Sequence, residues 1–230
     1  MPSRTVLLLA AAAIFLAPAA HADDLQNRVL AAMRASRPDA FRFQRTSVAD
    51  RTGAERKTVV ERYDPARPPS QRWQLVSVDG RAPTAKESEK ARKAKRGPAP
   101  SYAELADWFG APATRSETTP GYVTYRFAKL PAGAVEIGSH DASADTQAEA
   151  MVNVRARTPF VERVRFTSTK GFRMMMVASV QSLDVVSRYA ALATGEIVPA
   201  SSASTITGSL FGKSGSIRST ATFSGFQAVR

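Results

Sequence analysis

From Gly121 to the carboxyl end, apolar and polar side chains alternate almost without interruption, and no other feature of the chain limits its fold so sharply. Val123, Tyr125 and Phe127 oppose Tyr122, Thr124 and Arg126. Val152, Val154 and Ala156 oppose Asn153, Arg155 and Arg157, and after Thr158-Pro159 the pattern resumes with Phe160, Val164 and Phe166. A period of two sends successive side chains to opposite faces, so it predicts an antiparallel sheet with one buried face. Phe172, Met174, Met176 and Val180 continue the pattern, followed by Val185-Val186 with Tyr189, a Ser/Thr-rich strand near Ser204 to Phe211, and Ile217, Ala221 and Phe223. Upstream, Phe41 and Phe43, the run Lys57 to Tyr63, and Trp73 with Leu75 read the same way, giving about nine to eleven strands in all.

Helical signals are few. Leu25, Val29 and Met33 recur at helical spacing behind Asp23-Asp24, which predicts a helix over 23–36. Thr84-Ala85-Lys86-Glu87 is a capping box opening a basic helix that should run to about Arg96. Ser101-Tyr102-Ala103-Glu104 has the form of a second box, before a short helix carrying Leu105, Trp108 and Phe109 and ending at Gly110. These place a helical insertion at 84–110 within the sheet. No linker or repeat divides the chain, so a single domain over 23–230 is expected.

The amino-terminal stretch reads as a leader. Arg4 precedes the apolar run Val6 to Ala17, and Ala20-His21-Ala22 is a small-x-small cleavage site. Twelve apolar residues reach only ~18 Å as a helix, short of the roughly 30 Å of a hydrocarbon core. Cleavage after Ala22 and a periplasmic destination are expected. The chain has no cysteine, which excludes disulfides, thiolate metal sites and a lipidated cysteine anchor.

Its formal charge is +12, to which the leader contributes only Arg4. For an exported protein the matching polyanions are anionic lipid headgroups or envelope polymers rather than nucleic acid. The basic helix, with Lys86, Lys90, Lys93, Lys95 and Arg96, is the candidate for surface docking.

Chemistry-bearing patterns are scarce. His140 is the one histidine outside the leader, with Asp141 and Asp145 nearby. That inventory cannot build a zinc site or a Ser-His-Asp triad, and no Gly-x-Ser-x-Gly elbow occurs. No phosphate-cradling glycine loop or dinucleotide fingerprint is present, and the carboxylates Asp64, Asp79, Glu136, Glu149, Glu162 and Asp184 have no spacing that pairs them. A non-catalytic protein with no cofactor and no metal is expected. Met174-Met175-Met176 is an adaptable apolar run, and a sheet with so many inward apolar residues and so few helices needs an occupant or a cover.

Several segments resemble a known family. Tyr63-Asp64-Pro65, Arg72-Trp73-Gln74-Leu75 and Val78-Asp79-Gly80-Arg81-Ala82-Pro83-Thr84 before a charged helix, with the closing Thr222-Phe223-Ser224-Gly225, resemble the periplasmic lipoprotein carrier (LolA-like) superfamily and its lipoprotein-sorting-like proteins. The resemblance implies a mainly β, α+β fold in which an unclosed antiparallel β-barrel wraps over a few helices. It also implies an apolar cavity for acyl chains. The insertion at 84–110 departs from the family's lipoprotein carrier.

Taken with that resemblance, the chain is expected to be a carrier or binding protein for an acyl chain, lipid or lipoprotein. Alternation nominates Trp73, Leu75, Tyr125, Phe127, Val152, Val154, Phe166, Met174, Met176 and Phe223 as the apolar lining. The alternatives are an outer-membrane β-barrel and a soluble module whose basic face binds anionic lipid, polysaccharide or protein. A spanning barrel would carry an aromatic girdle, whereas aromatics are sparse here and the chain ends Gln227-Ala228-Val229-Arg230.

Overall fold

The computed structural model describes residues 23–37, 40–94, 100–137, 140–175 and 178–229. The expected leader 1–22, the docking candidates Lys95 and Arg96, and the lining candidate Met176 lie outside the described residues.

Helix α1 (Asp24–Ala35) is capped as its sequence demands: the Asp23 carboxylate accepts from the Gln26 amide at 2.8 Å. It leads into strands β1 (Phe41–Arg51), β2 (Lys57–Tyr63) and β3 (Trp73–Val78). The insertion then supplies α2 (Ala85–Lys93) and the single-turn α3 (Ala106–Phe109). Strands β4 (Thr114–Thr119), β5 (Tyr122–Phe127), the short pair β6 (Glu136–Ile137) and β7 (His140–Asp141), β8 (Thr146–Asn153), β9 (Phe160–Ser168) and β10 (Phe172–Met175) follow. Three long strands complete the chain: β11 (Ala178–Ala191), β12 (Ile197–Leu210) and β13 (Lys213–Ala228).

All but β6 and β7 join one 11-stranded antiparallel sheet in the order β3-β2-β1-β13-β12-β11-β9-β8-β5-β4, with β10 paired to β11. The last strand lies beside the first, with Ala221 opposite Ser47. The end strands β3 and β4 are not neighbours, so the sheet is unclosed, and α1 and α3 pack on one of its faces. The expected architecture of an open antiparallel sheet over helices therefore holds.

The two capping boxes fare differently. Around Thr84 both hydrogen bonds form, and Arg81 clamps Glu87 with two further bonds of 2.9 and 2.8 Å. Ser101 caps no helix by its side chain. The segment enters as a 3-10 turn at Ala103–Leu105, and α3 lasts only four residues. Tertiary contacts set this geometry: the Tyr102 hydroxyl accepts from the Val161 amide at 2.8 Å, and its ring meets Tyr189 edge-on at 5.4 Å.

Gly208 sits where β12 passes close to β11. A Cβ there would lie 2.1 Å from the Ser179 carbonyl oxygen, which is backbone and cannot swing away. Gly208→Ala should therefore cost stability at the upper end of the roughly 1–3 kcal/mol typical of overpacking, measured by urea denaturation.

Asp23 also ties the start of α1 to the sheet edge, because Tyr125 donates to it at 2.6 Å and Arg115 at 3.0 Å. Burial pushes its pKa up, but bonds from Tyr125, the Gln26 amide and Arg115 outweigh that and hold the carboxyl below its ordinary value. A depressed pKa stabilises the fold above the unfolded value of about 4, and the contribution disappears as pH falls through the folded value. Melting curves between about pH 2 and 6 should fall less steeply for Asp23→Asn than for the native chain, modestly because the group is part-exposed.

Candidate functional site

The inner face of the sheet, the one on which the helices pack, has two unlike halves. Over β5, β8 and β9 it is filled. Val29 and Met33 of α1, with Trp108 and Phe109 of the insertion, close against Tyr125, Phe127, Val152 and Val164. Trp108 meets Phe127 at 5.1 Å and Phe166 at 5.3 Å, both edge to face. The Gln26 side chain, itself buried, donates to the Phe109 and Ala111 carbonyls at 2.6 and 3.0 Å, which pins the insertion to α1.

Over β12, β13, β1, β2 and β3 no helix packs on most of the same face, while at β11 the Val135–Ala142 segment and Phe172 cover Leu183, Val185 and Ile206. Register identifies its residues, because cross-strand partners share a face. Phe166 lies opposite Val185 and Val164 opposite Ser187, so Val185 and Ser187 belong to the inner face of β11. They pair with Ser204 and Ser202 of β12, which pair with Ser219 and Ala221 of β13. Those face Ala49 and Ser47 of β1, and Phe223 faces Arg45. Arg45 pairs with Glu61 and Glu61 with Leu75; Phe43 pairs with Tyr63 and Tyr63 with Trp73. Small side chains thus occupy the middle of this face, with larger apolar groups at its end.

That end is an aromatic cluster. Phe43 stacks on Tyr63 at 5.1 Å and meets Trp73 and Phe223 at 5.8 Å and Phe226 at 5.4 Å. Phe43 and Tyr63 are buried, whereas Trp73, Phe223 and Phe226 remain half-buried and present apolar surface to the groove. Beside them, Arg45 donates to Glu61 at 2.6 Å through Nη2 and lays its guanidinium 4.1 Å above the Trp73 ring. Glu61 is only 3% exposed, and the Arg45 guanidinium offsets part of the cost of burying its carboxylate.

Two hollows adjoin the face. One, of about 520 Å³, separates the insertion from the sheet and is lined by Leu105, Trp108, Phe166, Tyr189, Ser202 and Phe223. The other, of about 600 Å³, lies beneath the end of α1 and is lined by Ala32, Phe41, Phe43, Phe160, Ile197 and Phe226, with Arg37 and Arg157 also in its wall. Pro100 and Pro199 border both. Each volume falls within the roughly 300–1,000 Å³ of small-molecule sites.

No family model and no curated protein matches the chain. Among solved structures it is similar to a LolA superfamily protein, NE2245 from Nitrosomonas europaea. The match covers 90% of this chain and 94% of that one, at 12% identity and a TM-score of 0.41. At that distance the site has to be read from this chain's own side chains.

Of the ten lining candidates, Trp73, Leu75, Phe166 and Phe223 are half-buried on the inner face or its hollows. Tyr125, Phe127 and Val152 are fully buried under α1 and α3, which take up the space an occupant would have had. Val154 packs at the margin of that core, and Met174 packs with Phe172, Val180 and Leu183 in a separate cluster. Lys86, Lys90 and Lys93 are exposed on α2, which buries none of its residues. His140 is half-buried and stacks on Phe172 at 4.9 Å. Sequence reading did not single out Phe226, Tyr63 or the Arg45–Glu61 pair as site residues.

Proposed function

We propose that the protein is an exported, non-catalytic carrier or binding protein that takes an acyl chain, as free lipid or on a lipoprotein, onto the uncovered half of its inner sheet face. One observation carries this reading: helices fill one half of that face, while on the other Trp73, Leu75 and Phe223 stay half-buried with no helix packed on them, and Phe166 stands at the border between the two. Burying acyl methylenes there gains roughly 0.8 kcal/mol each without polar chemistry. Arg37 and Arg157 beside the larger hollow suit an anionic headgroup, and the cations of α2 suit an anionic membrane surface. A spanning barrel requires closure to satisfy its edge strands, and in the described residues β3 and β4 stay apart.

The test is titration of the purified protein with a dansyl-labelled fatty acid. Saturable binding with enhanced, blue-shifted emission supports the reading. Emission that stays at its aqueous value throughout overturns it.

A further inference from the structure

The turn joining β12 to β13 combines two unfavourable features that nothing inside the fold repays. Leu210 is 54% exposed and Phe211 73% exposed, the two most exposed large apolar side chains among the described residues. Phe211 also has φ of +49°, followed by Gly212 at +75°. Left-handed backbone costs a non-glycine residue roughly 1–2 kcal/mol, and two-residue hairpins of this kind ordinarily place Asn or Asp ahead of the glycine. An aromatic held there at such cost, and pointed into water, indicates a use outside the folded chain.

Position and charge say what that use is. Thr52 of the first hairpin donates to the Ser216 carbonyl at 3.0 Å, so that turn ends beside Ser216, while β12 and β13 continue to Phe211. The tip stands about three residues, ~10 Å, further out. Lys213 flanks it, and further back the same end of the sheet carries Arg218 on β13 and Arg51, Arg56 and Lys57 at the first turn, against Asp50, Glu55 and Asp184. Arg173 on β10 lies at this end too, opposite Ser179 of β11. An apolar tip with a lysine beside it and an excess of cations behind it matches an anionic bilayer, whose headgroups attract the cations while its acyl boundary accepts the tip.

We propose that Leu210 and Phe211 form an interfacial anchor that inserts into the headgroup region of an anionic membrane. The anchor supplements the cations of α2 and works whether or not the groove holds a ligand.

Co-sedimentation with vesicles of phosphatidylglycerol and phosphatidylcholine, and with phosphatidylcholine alone, tests it. The native chain should partition onto the anionic vesicles and weakly onto neutral ones. Phe211→Asn should lower that partition about tenfold, the order expected from losing one buried aromatic. Because asparagine tolerates the left-handed region, its Tm should stay level or rise, which separates the anchor from a structural role. Equal partition by Phe211→Asn, or no partition of the native chain, overturns the anchor. So does sedimentation velocity showing a dimer that Phe211→Asn dissolves, since the tip would then be a self-association contact. A protein that takes up no fatty acid can still pass this test, so the two proposals fail separately.

Discussion

Trp108→Ala should lower the free energy of unfolding by roughly 3–5 kcal/mol, the range for removing a buried large aromatic. The indole is 3% exposed and touches Phe109, Phe127 and Phe166, so truncation leaves a cavity where the insertion meets the sheet. Besides Trp108, only Phe109, fully buried against Tyr125 and Phe127, anchors α3 to the sheet by its side chain. The helix is four residues long, has no side-chain cap, and is tied to α1 chiefly through the Gln26 side chain. Urea denaturation measures the loss, and a change below about 1 kcal/mol would mean that α3 is not seated as described. Trp108 also walls the smaller hollow, so the same substitution should broaden the specificity of the groove for acyl length.

Ser202→Trp should reduce fatty-acid affinity by about 100-fold while leaving stability nearly unchanged. Ser202 is a small residue on the open inner face and lines the smaller hollow with Phe166 and Phe223. An indole there would displace three or four methylenes of a bound chain, each worth about 0.8 kcal/mol, which converts to roughly two decades in Kd. Thr222 is exposed and lies on the opposite face, next in sequence to Ala221, which pairs with Ser202. Thr222→Trp is therefore the control and should bind as the native chain does. Equal loss in both variants would place the ligand elsewhere.

Alternation in the sequence was enough to reveal the sheet, its antiparallel pairing and which residues share a face, because period two is a property of the backbone. It could not tell what covers that face. Tyr125 and Trp73 have the same signature, yet α1 and α3 seal the first and leave the second half-buried, a difference set by contacts between segments far apart in sequence. Bulges hid other members. Gly225, at φ +66°, inserts a residue into β13, so Phe226 joins Phe223 beside Phe43 although strict alternation would separate them. Arg45 was detectable in principle as a charge at an inward position two residues beyond Phe43. Its partner Glu61 lies sixteen residues away and becomes evident only once β1 and β2 are in register. The Phe211 anchor had no periodic signal, because it depends on a dihedral angle and an exposure.

An acyl group on the open part of the inner face would leave the protein carrying lipid when it is isolated. The sharpest check is native mass spectrometry of the protein purified without detergent from its native cells, followed by lipid extraction of the same sample. A fraction heavier than the bare chain by the mass of an acyl lipid or acylated peptide is expected, released on organic extraction and diminished in Ser202→Trp. A single species at the bare mass, with no lipid in the extract, would contradict it.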